Sequence, residues 1–195
     1  MTATTKTTIL NKSKQLFALH GYEGFSIRIL SKESGVGLSS IYHFFEDKDQ
    51  ILTEIFKQVG KELGQKRQEL PARRSANDML KDRILFQFTN IEDVVFVLKY
   101  YLHFRPQFLR LDSGYIPSKA YLHVEEVLHF GIQTSEFAIT EADVEKQSKV
   151  IAHAINGFLL EYYPSPPQGK ELKSVVASIH SFLIRGLTNK EVQPV

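Results

Sequence analysis

The chain contains no cysteine among its 195 residues. Disulfides and thiolate metal sites are therefore excluded, and a zinc site would have only histidine and carboxylate ligands to draw on. A reducing cytoplasm is compatible with this composition, and a cytoplasmic location is expected. The longest apolar stretches are broken by charge every few residues, and Met1 to Thr8 lacks the apolar core of a secretory signal, so no membrane partner is expected. Motifs of nucleotide and hydrolytic chemistry are missing as well: there is no Walker loop, no G-x-S-x-G elbow and no HExxH. Gly35-x-Gly37 lacks both the third glycine and the preceding strand of a dinucleotide fingerprint. An enzyme is not expected, and no cofactor is implied. Strict apolar and polar alternation of the strand type is almost absent.

What is present is helical periodicity in a chain that is 43% hydrophobic, enough to bury a core. The charge is unevenly spread. Residues 1–74 hold 12 Lys and Arg against 8 Asp and Glu, a surplus of four, whereas residues 75–195 hold 12 against 14. A basic front half suits a polyanionic partner, although such a surplus alone is a weak argument. Periodicity predicts a first helix from Thr7 or Thr8 with Ile9, Ser13, Leu16, Phe17 and His20 on one face, stopping at Gly21. A short helix is expected over Ser26 to Glu33 and another through Ser39 to Phe44, with a break at Gly35-Val36-Gly37. Asp47 and Gln50 resemble a capping box, and Ile51, Leu52, Ile55, Phe56, Val59 and Leu63 stripe a long helix over about residues 48–69. Beyond a polar joint at Ala72 to Asn77, helices are expected at Met79 to Phe88 and Ile91 to His103. Further helices are expected at Ser118 to Thr134, Glu141 to Tyr162 and Lys170 to Leu187. Pro106 and the turn at Asp112-Ser113-Gly114 separate the helix at Ile91 to His103 from that at Ser118 to Thr134. The fold class is all-α, with a domain at residues 1–50 and a larger one at residues 70–195.

Two short helices joined by a glycine turn behind a stabilising first helix form a helix-turn-helix, the geometry that lets a recognition helix enter a major groove. Small Ser31 and Ser34 would let the two helices cross closely, and Val36, Ile41 and Phe45 can close a miniature core. A helical hairpin without a ligand fits the spacing equally well. The run Ile9-Leu10, Leu16-Phe17, Gly21-Tyr22, Ile27 to Val36, Ile41 to Phe45 and Lys48 closely resembles the N-terminal domain of the tetracycline-repressor (TetR) family, without a gap from residue 9 to 56. It departs at Ser31 and Ser34, where the family usually has alanine, at Ile29, and at Gly37, where Ser or Thr often caps the recognition helix.

That resemblance implies an all-α homodimeric regulator of double-stranded DNA whose larger C-terminal domain binds a small effector. It also favours DNA contact by Tyr42, through its ring or its hydroxyl, over a place in the core. Ser39 and Ser40 are short donors suited to base edges or phosphates, or else simple helix caps; Leu38 offers apolar contact. His43 and Lys48 are expected to hold phosphate, Lys48 at a helix start that already favours an anion. Arg28 reaches a phosphate or guanine unless it is only a solvated arginine. Lys6, Lys12 and Lys14 add diffuse attraction.

Ten of the 22 aromatic residues lie between Phe86 and Phe130, among them Phe108 and Tyr115. They are ordinary core or the lining of an apolar pocket, and the resemblance implies a cavity there. Tyr101, Phe104, Tyr121 and His129 are the candidate lining residues. In the last two helices Ile151, Ile155, Phe158 and Tyr162, with Val175, Ile179, Phe182 and Leu183, form stripes that the family arrangement pairs with their twofold copies as a homodimer interface. The operator is then an approximate palindrome. The reading is a repressor released from it by a small, lipophilic effector, with the helix at residues 51–63 as lever. Two alternatives stand beside it: a helical interaction protein with a degenerate DNA-binding head, and a helical enzyme with a metal at His123, Glu126 and His129, whose spacing shares one helix face.

Overall fold

The computed structural model describes residues 2–70, 75–110 and 122–188. Nine α-helices and no strand occur among the described residues: α1 Thr2–Gly24, α2 Ile27–Ser34, α3 Leu38–Phe44, α4 Lys48–Gln68, α5 Ala76–Thr89, α6 Ile91–Arg110, α7 Leu122–Gln133, α8 Val144–Tyr162 and α9 Gly169–Thr188. The all-α reading holds. The turn expected at Asp112-Ser113-Gly114, together with Tyr115 and Tyr121, lies outside the described residues, as does the side chain of Phe108.

The helix ends follow from local chemistry. Gly21 interrupts α1 with φ 70° and ψ −173°, an extended positive-φ conformation open to glycine but strained for other residues, and a last turn carries the chain to Gly24. Ser26 caps α2 by accepting the Ile29 N–H, and Ser75 caps α5 by accepting the Asp78 N–H. At α4, Asp47 accepts the Gln50 N–H at 2.8 Å while the Gln50 side chain accepts the Glu46 N–H at 2.7 Å, so the box expected from Asp47 and Gln50 forms with its return bond shifted by one residue. Several boundaries differ from expectation: α1 begins at Thr2 rather than Thr7 or Thr8, α5 at Ala76 rather than Met79, and α6 runs on beyond His103. Helix α6 continues past Pro106 to Arg110. Pro106 supplies no N–H to the carbonyl of Leu102, but Leu102 is 60% exposed, a place where water can serve that carbonyl.

The chain forms two compact units, residues 1–68 with 92–112, and residues 69–91 with 113–195. In the first, Ile9, Phe17, Leu30, Ile41, Ile51 and Leu52 are fully buried, and Phe25 and Phe45 nearly so. Helix α6 completes this core: the Phe96 ring meets Phe17 edge-on at 5.2 Å, and Tyr100 stacks on Phe56 at 4.3 Å and shares a hydrogen bond with Thr53 at 3.0 Å. In the second unit, Leu80 and Ile84 of α5, Val127 and Leu128 of α7, Leu159 of α8 and Val176 and Leu187 of α9 are buried. The Phe137 ring covers Gly131 so closely that a Cβ there would lie 2.1 Å from its Cδ2.

Candidate nucleic-acid interface

Helices α2 and α3 and the turn between them carry the candidate site. Gly35 adopts φ 69°, and its N–H returns to the Ser31 carbonyl at 3.1 Å, ending α2 in a left-handed cap. Ser31 and Ser34 do more than permit a close crossing. The Ser31 hydroxyl donates to the Val36 carbonyl at 2.7 Å, and the Val36 N–H donates to the Ser34 hydroxyl at 3.2 Å, so the two serines brace the turn from both sides. Helix α3 follows with Gly37 as a cap residue that has no side chain to offer its first turn.

The pattern within α3 and its flank separates core from surface. Ile41 is fully buried and Phe45 is 2% exposed, whereas Leu38 is 42% and Tyr42 56% exposed. Ser39, Ser40 and His43 are exposed beside them. Positions 38, 39 and 42 are helical neighbours, so a leucine, a hydroxyl and a phenol share one outward strip. Arg28, on α2, is also exposed. Such a strip can meet a base edge by hydrogen bond and a thymine methyl by contact.

Lys48 is placed differently from expectation. Its ammonium donates to the carbonyls of Tyr22 at 3.1 Å and Phe25 at 3.4 Å and lies 3.6 Å from the centroid of the Tyr22 ring. The charge serves the end of α1 and the loop into α2. Two of the lysines expected to add diffuse attraction are also engaged within the unit. Lys6 pairs with Glu54 at 2.7 Å, and Lys14 donates to Asp93 at 2.6 Å. Burial works to lower the Lys14 pKa, but the hydrogen bond and charge of Asp93 outweigh it and the pKa is raised.

Residues that sequence reasoning passed over join Lys48 in a cluster. The Tyr22 hydroxyl donates to Asp49 at 2.6 Å, and its ring stacks on His103 of α6 with centroids 3.5 Å apart and planes at 15°. Burial first, then the bond to Asp49, pushes the Tyr22 pKa up to about 12, so this hydroxyl keeps its proton at neutral pH. Only the local sign Gly21-Tyr22 was legible; nothing in the spacing ties residue 22 to residue 103.

The candidates for an effector pocket divide between the units. Phe104 is 5% exposed, its ring packed against those of Tyr100 at 4.4 Å and Tyr22 at 5.8 Å, and Tyr101 beside it is half-buried, both in the first unit. His129 belongs to the second, exposed and paired through Nδ1 with Glu141 at 2.6 Å. Tyr121 lies outside the described residues. Of the other residues weighed for a metal, Glu126 is engaged by Arg83 at 3.3 Å and His123 is half-buried. Among the described residues, no three His, Asp or Glu side chains gather to hold an ion.

The stripes of α8 and α9 are split by burial. Ile151, Ile155, Ile179 and Leu183 are between 2% and 7% exposed within a single chain, which makes them its own core. Tyr162 sets its ring against Phe88 at 5.8 Å, and Val175 is half-buried. Phe158 at 41% and Phe182 at 66% are the outward members. Each stripe thus lies on one side of its helix, with these four residues packed within the chain and Phe158 and Phe182 left outward.

Comparison with known proteins bears on the N-terminal module and on the fold. Residues 9–55 match the family described as bacterial regulatory proteins, tetR family. The chain is 34% identical over 64 residues to the uncharacterized HTH-type transcriptional regulator YhgD of Bacillus subtilis strain 168; the match takes in 33% of this chain and only 34% of that protein's length. Among solved structures, the fatty acid degradation regulator FadR from Bacillus halodurans superposes with a TM-score of 0.71 at 20% identity, over 94% of this chain and 96% of that one. The TetR-family transcriptional regulator PfmR from Thermus thermophilus gives 0.68 at 23% identity, over 93% and 99%. Those two likenesses speak for the fold. No described helix is long and apolar enough to cross a membrane. Residues 9–55 are thus a module of the TetR-family type, and the chain as a whole shares the all-helical fold of these regulators.

Proposed function

We propose that this chain is a homodimeric repressor that acts in the cytoplasm, binds an approximately palindromic operator through α3 and is released from it by a small lipophilic effector. The observation that carries the reading is the outward strip of α3. Leu38, Tyr42 and the two serines are held in solvent while Ile41 and Phe45 close the core beneath them. An exposed leucine and tyrosine on a short helix are costly to leave unused, and a duplex groove can cover both. Residues 1–50 supply the DNA-binding domain, α4 the connecting helix, and residues 70–195 the effector-binding and dimerisation domain, except that α6 within that span packs with the first unit. Phe158 and Phe182 anchor the dimer, which places two copies of α3 in successive major grooves. A lipophilic effector is in keeping with the fatty acid in the name of one structural neighbour.

The test is a titration of the protein into a labelled duplex from upstream of its own gene, against a scrambled duplex, at low and moderate salt. Tight binding to the first alone, weakening steeply with salt, supports the reading. Equal, weak binding to both and to fragments selected from the whole genome refutes it. For the effector, acyl chains, lipophilic cations and planar aromatics are screened by thermal shift and then for release of bound DNA. A screen without a stabilising compound overturns that part.

A further inference from the structure

Helix α6 is tied to α1 along its length by contacts of several kinds. Asp93 holds Lys14, Phe96 meets Phe17, the Lys99 ammonium donates to the Ala18 carbonyl, and His103 stacks on Tyr22. Residue numbers rise together on both helices, so α1 and α6 run parallel along a side-chain seam that ends at Tyr22. The seam ends where the DNA-binding helices are framed. Tyr22 lies beyond the Gly21 kink, two residues from the end of α1 and five ahead of α2, and its carbonyl and ring receive Lys48 from the first turn of α4. His103 and the Lys48 ammonium lie 3.5 Å and 3.6 Å from one ring centroid. Two groups so close cannot share a face, so the ring is held between α6 and α4, and its hydroxyl is fixed by Asp49.

We infer that His103 is a positioning residue for operator binding: by stacking on Tyr22 it fixes the end of α1 against the start of α4, and so sets the frame in which α2 and α3 are presented. This rests on the DNA-binding reading above and adds to it a residue on α6, outside the helix-turn-helix. His103 lies on α6, apart from α3 in the chain, and its ring meets those of Tyr22 and its neighbour Phe104. Its effect on DNA passes through Tyr22, and α6 opens with Ile91, which belongs to the second unit, so the chain itself leads from there to the stack.

The experiment is a double-mutant cycle on a duplex selected from a random pool by the wild-type protein. His103→Ala weakens binding by about threefold to tenfold, the range of one aromatic pair, and leaves the slope of log affinity against log salt unchanged because no phosphate contact is lost. His103→Phe, which keeps a ring to stack, restores wild-type affinity. In a Tyr22→Leu background the same His103→Ala change has no further effect. Amide exchange gives a second readout: His103→Ala speeds exchange at residues 22–25 and 48–51 and not in the second unit. Unchanged or tighter binding by His103→Ala overturns the inference, as do equal losses with and without Tyr22 or failure of His103→Phe to rescue. A selection that yields no duplex overturns the DNA-binding reading, and the inference with it. A selected operator that His103→Ala binds like wild type overturns the inference alone.

Discussion

Glu136 accepts the N–H of Ala76 at 3.0 Å and so caps, from the far side of α7, the first turn of α5. The same carboxylate accepts the Asn77 N–H at 3.2 Å and the Thr134 hydroxyl at 2.8 Å. Burial would raise its pKa, but these three donors prevail and hold it below the ordinary 4.5. A carboxyl depressed in this way stabilises the fold fully above pH 4.5, and the contribution disappears as pH falls through the lower folded value. Glu136→Ala should therefore lower the melting temperature at pH 7, with a loss of about 1 kcal/mol, the size of a helix cap. The gap to wild type should close as the solution is acidified below pH 4.5. Melting curves recorded from about pH 3 to about pH 7 decide it; a gap that persists in acid contradicts the assignment.

Gly37 leaves α3 without a side-chain cap, and a Cβ added there meets nothing within 4 Å. Its φ of −60° and ψ of 146° suit any residue. Gly37→Ser should stabilise the free protein by a few tenths of a kcal/mol and slow amide exchange in α3. Exchange as fast as in wild type would mean that the added hydroxyl makes no cap.

Phe182 is 66% exposed on α9. If it anchors the homodimer, Phe182→Asp puts two charges into a twofold interface, and sedimentation at micromolar concentration should show a monomer that still folds. Operator affinity should fall about a hundredfold or more, since one recognition helix must then bind alone. A dimer unaffected by the substitution removes Phe182 from the interface.

Lys48 and Arg28 should separate in salt titrations. The Lys48 ammonium is occupied by two carbonyls, so Lys48→Met should weaken operator binding by disturbing the frame without changing the salt slope. Arg28→Ala, at an exposed position, should reduce that slope by about one. A reduced slope for Lys48→Met would put its charge on a phosphate after all.

The all-α class and the helix-turn-helix were legible because both depend on local signals. Apolar spacing drew α4, and glycines at 21 and 35 marked chain reversals that the structure places at positive φ. The outward strip at Leu38 to His43 was legible for the same reason, since on so short a helix the buried Ile41 fixes which side faces out. Lys48 was not. Its residue type and place at a helix start suited a phosphate, but a lysine's long stem reaches equally well to carbonyls 26 and 23 residues earlier, and spacing carries no sign of that choice. The stack of Tyr22 on His103 and the ion pair of Lys14 with Asp93 join positions about eighty residues apart, visible only once the chain is folded. In α8 and α9 the apolar residues were identified correctly as stripes, but which flank turns inward is decided by α5 and α7, not by the stripe itself.

Because α6 packs with residues 1–68 although α5 intervenes in the chain, the unit that carries the helix-turn-helix is discontinuous. A chimaeric regulator made by cutting after Gln68 would strip Phe17, Phe56 and Tyr22 of Phe96, Tyr100 and His103. The graft would bare aromatic surface that this chain keeps covered and lose the seam that steadies its first helix. A transplantable head must take α6 with it, joined by a new short connection in place of α5, and its designer has two breaks to mend where the linear sequence suggests one.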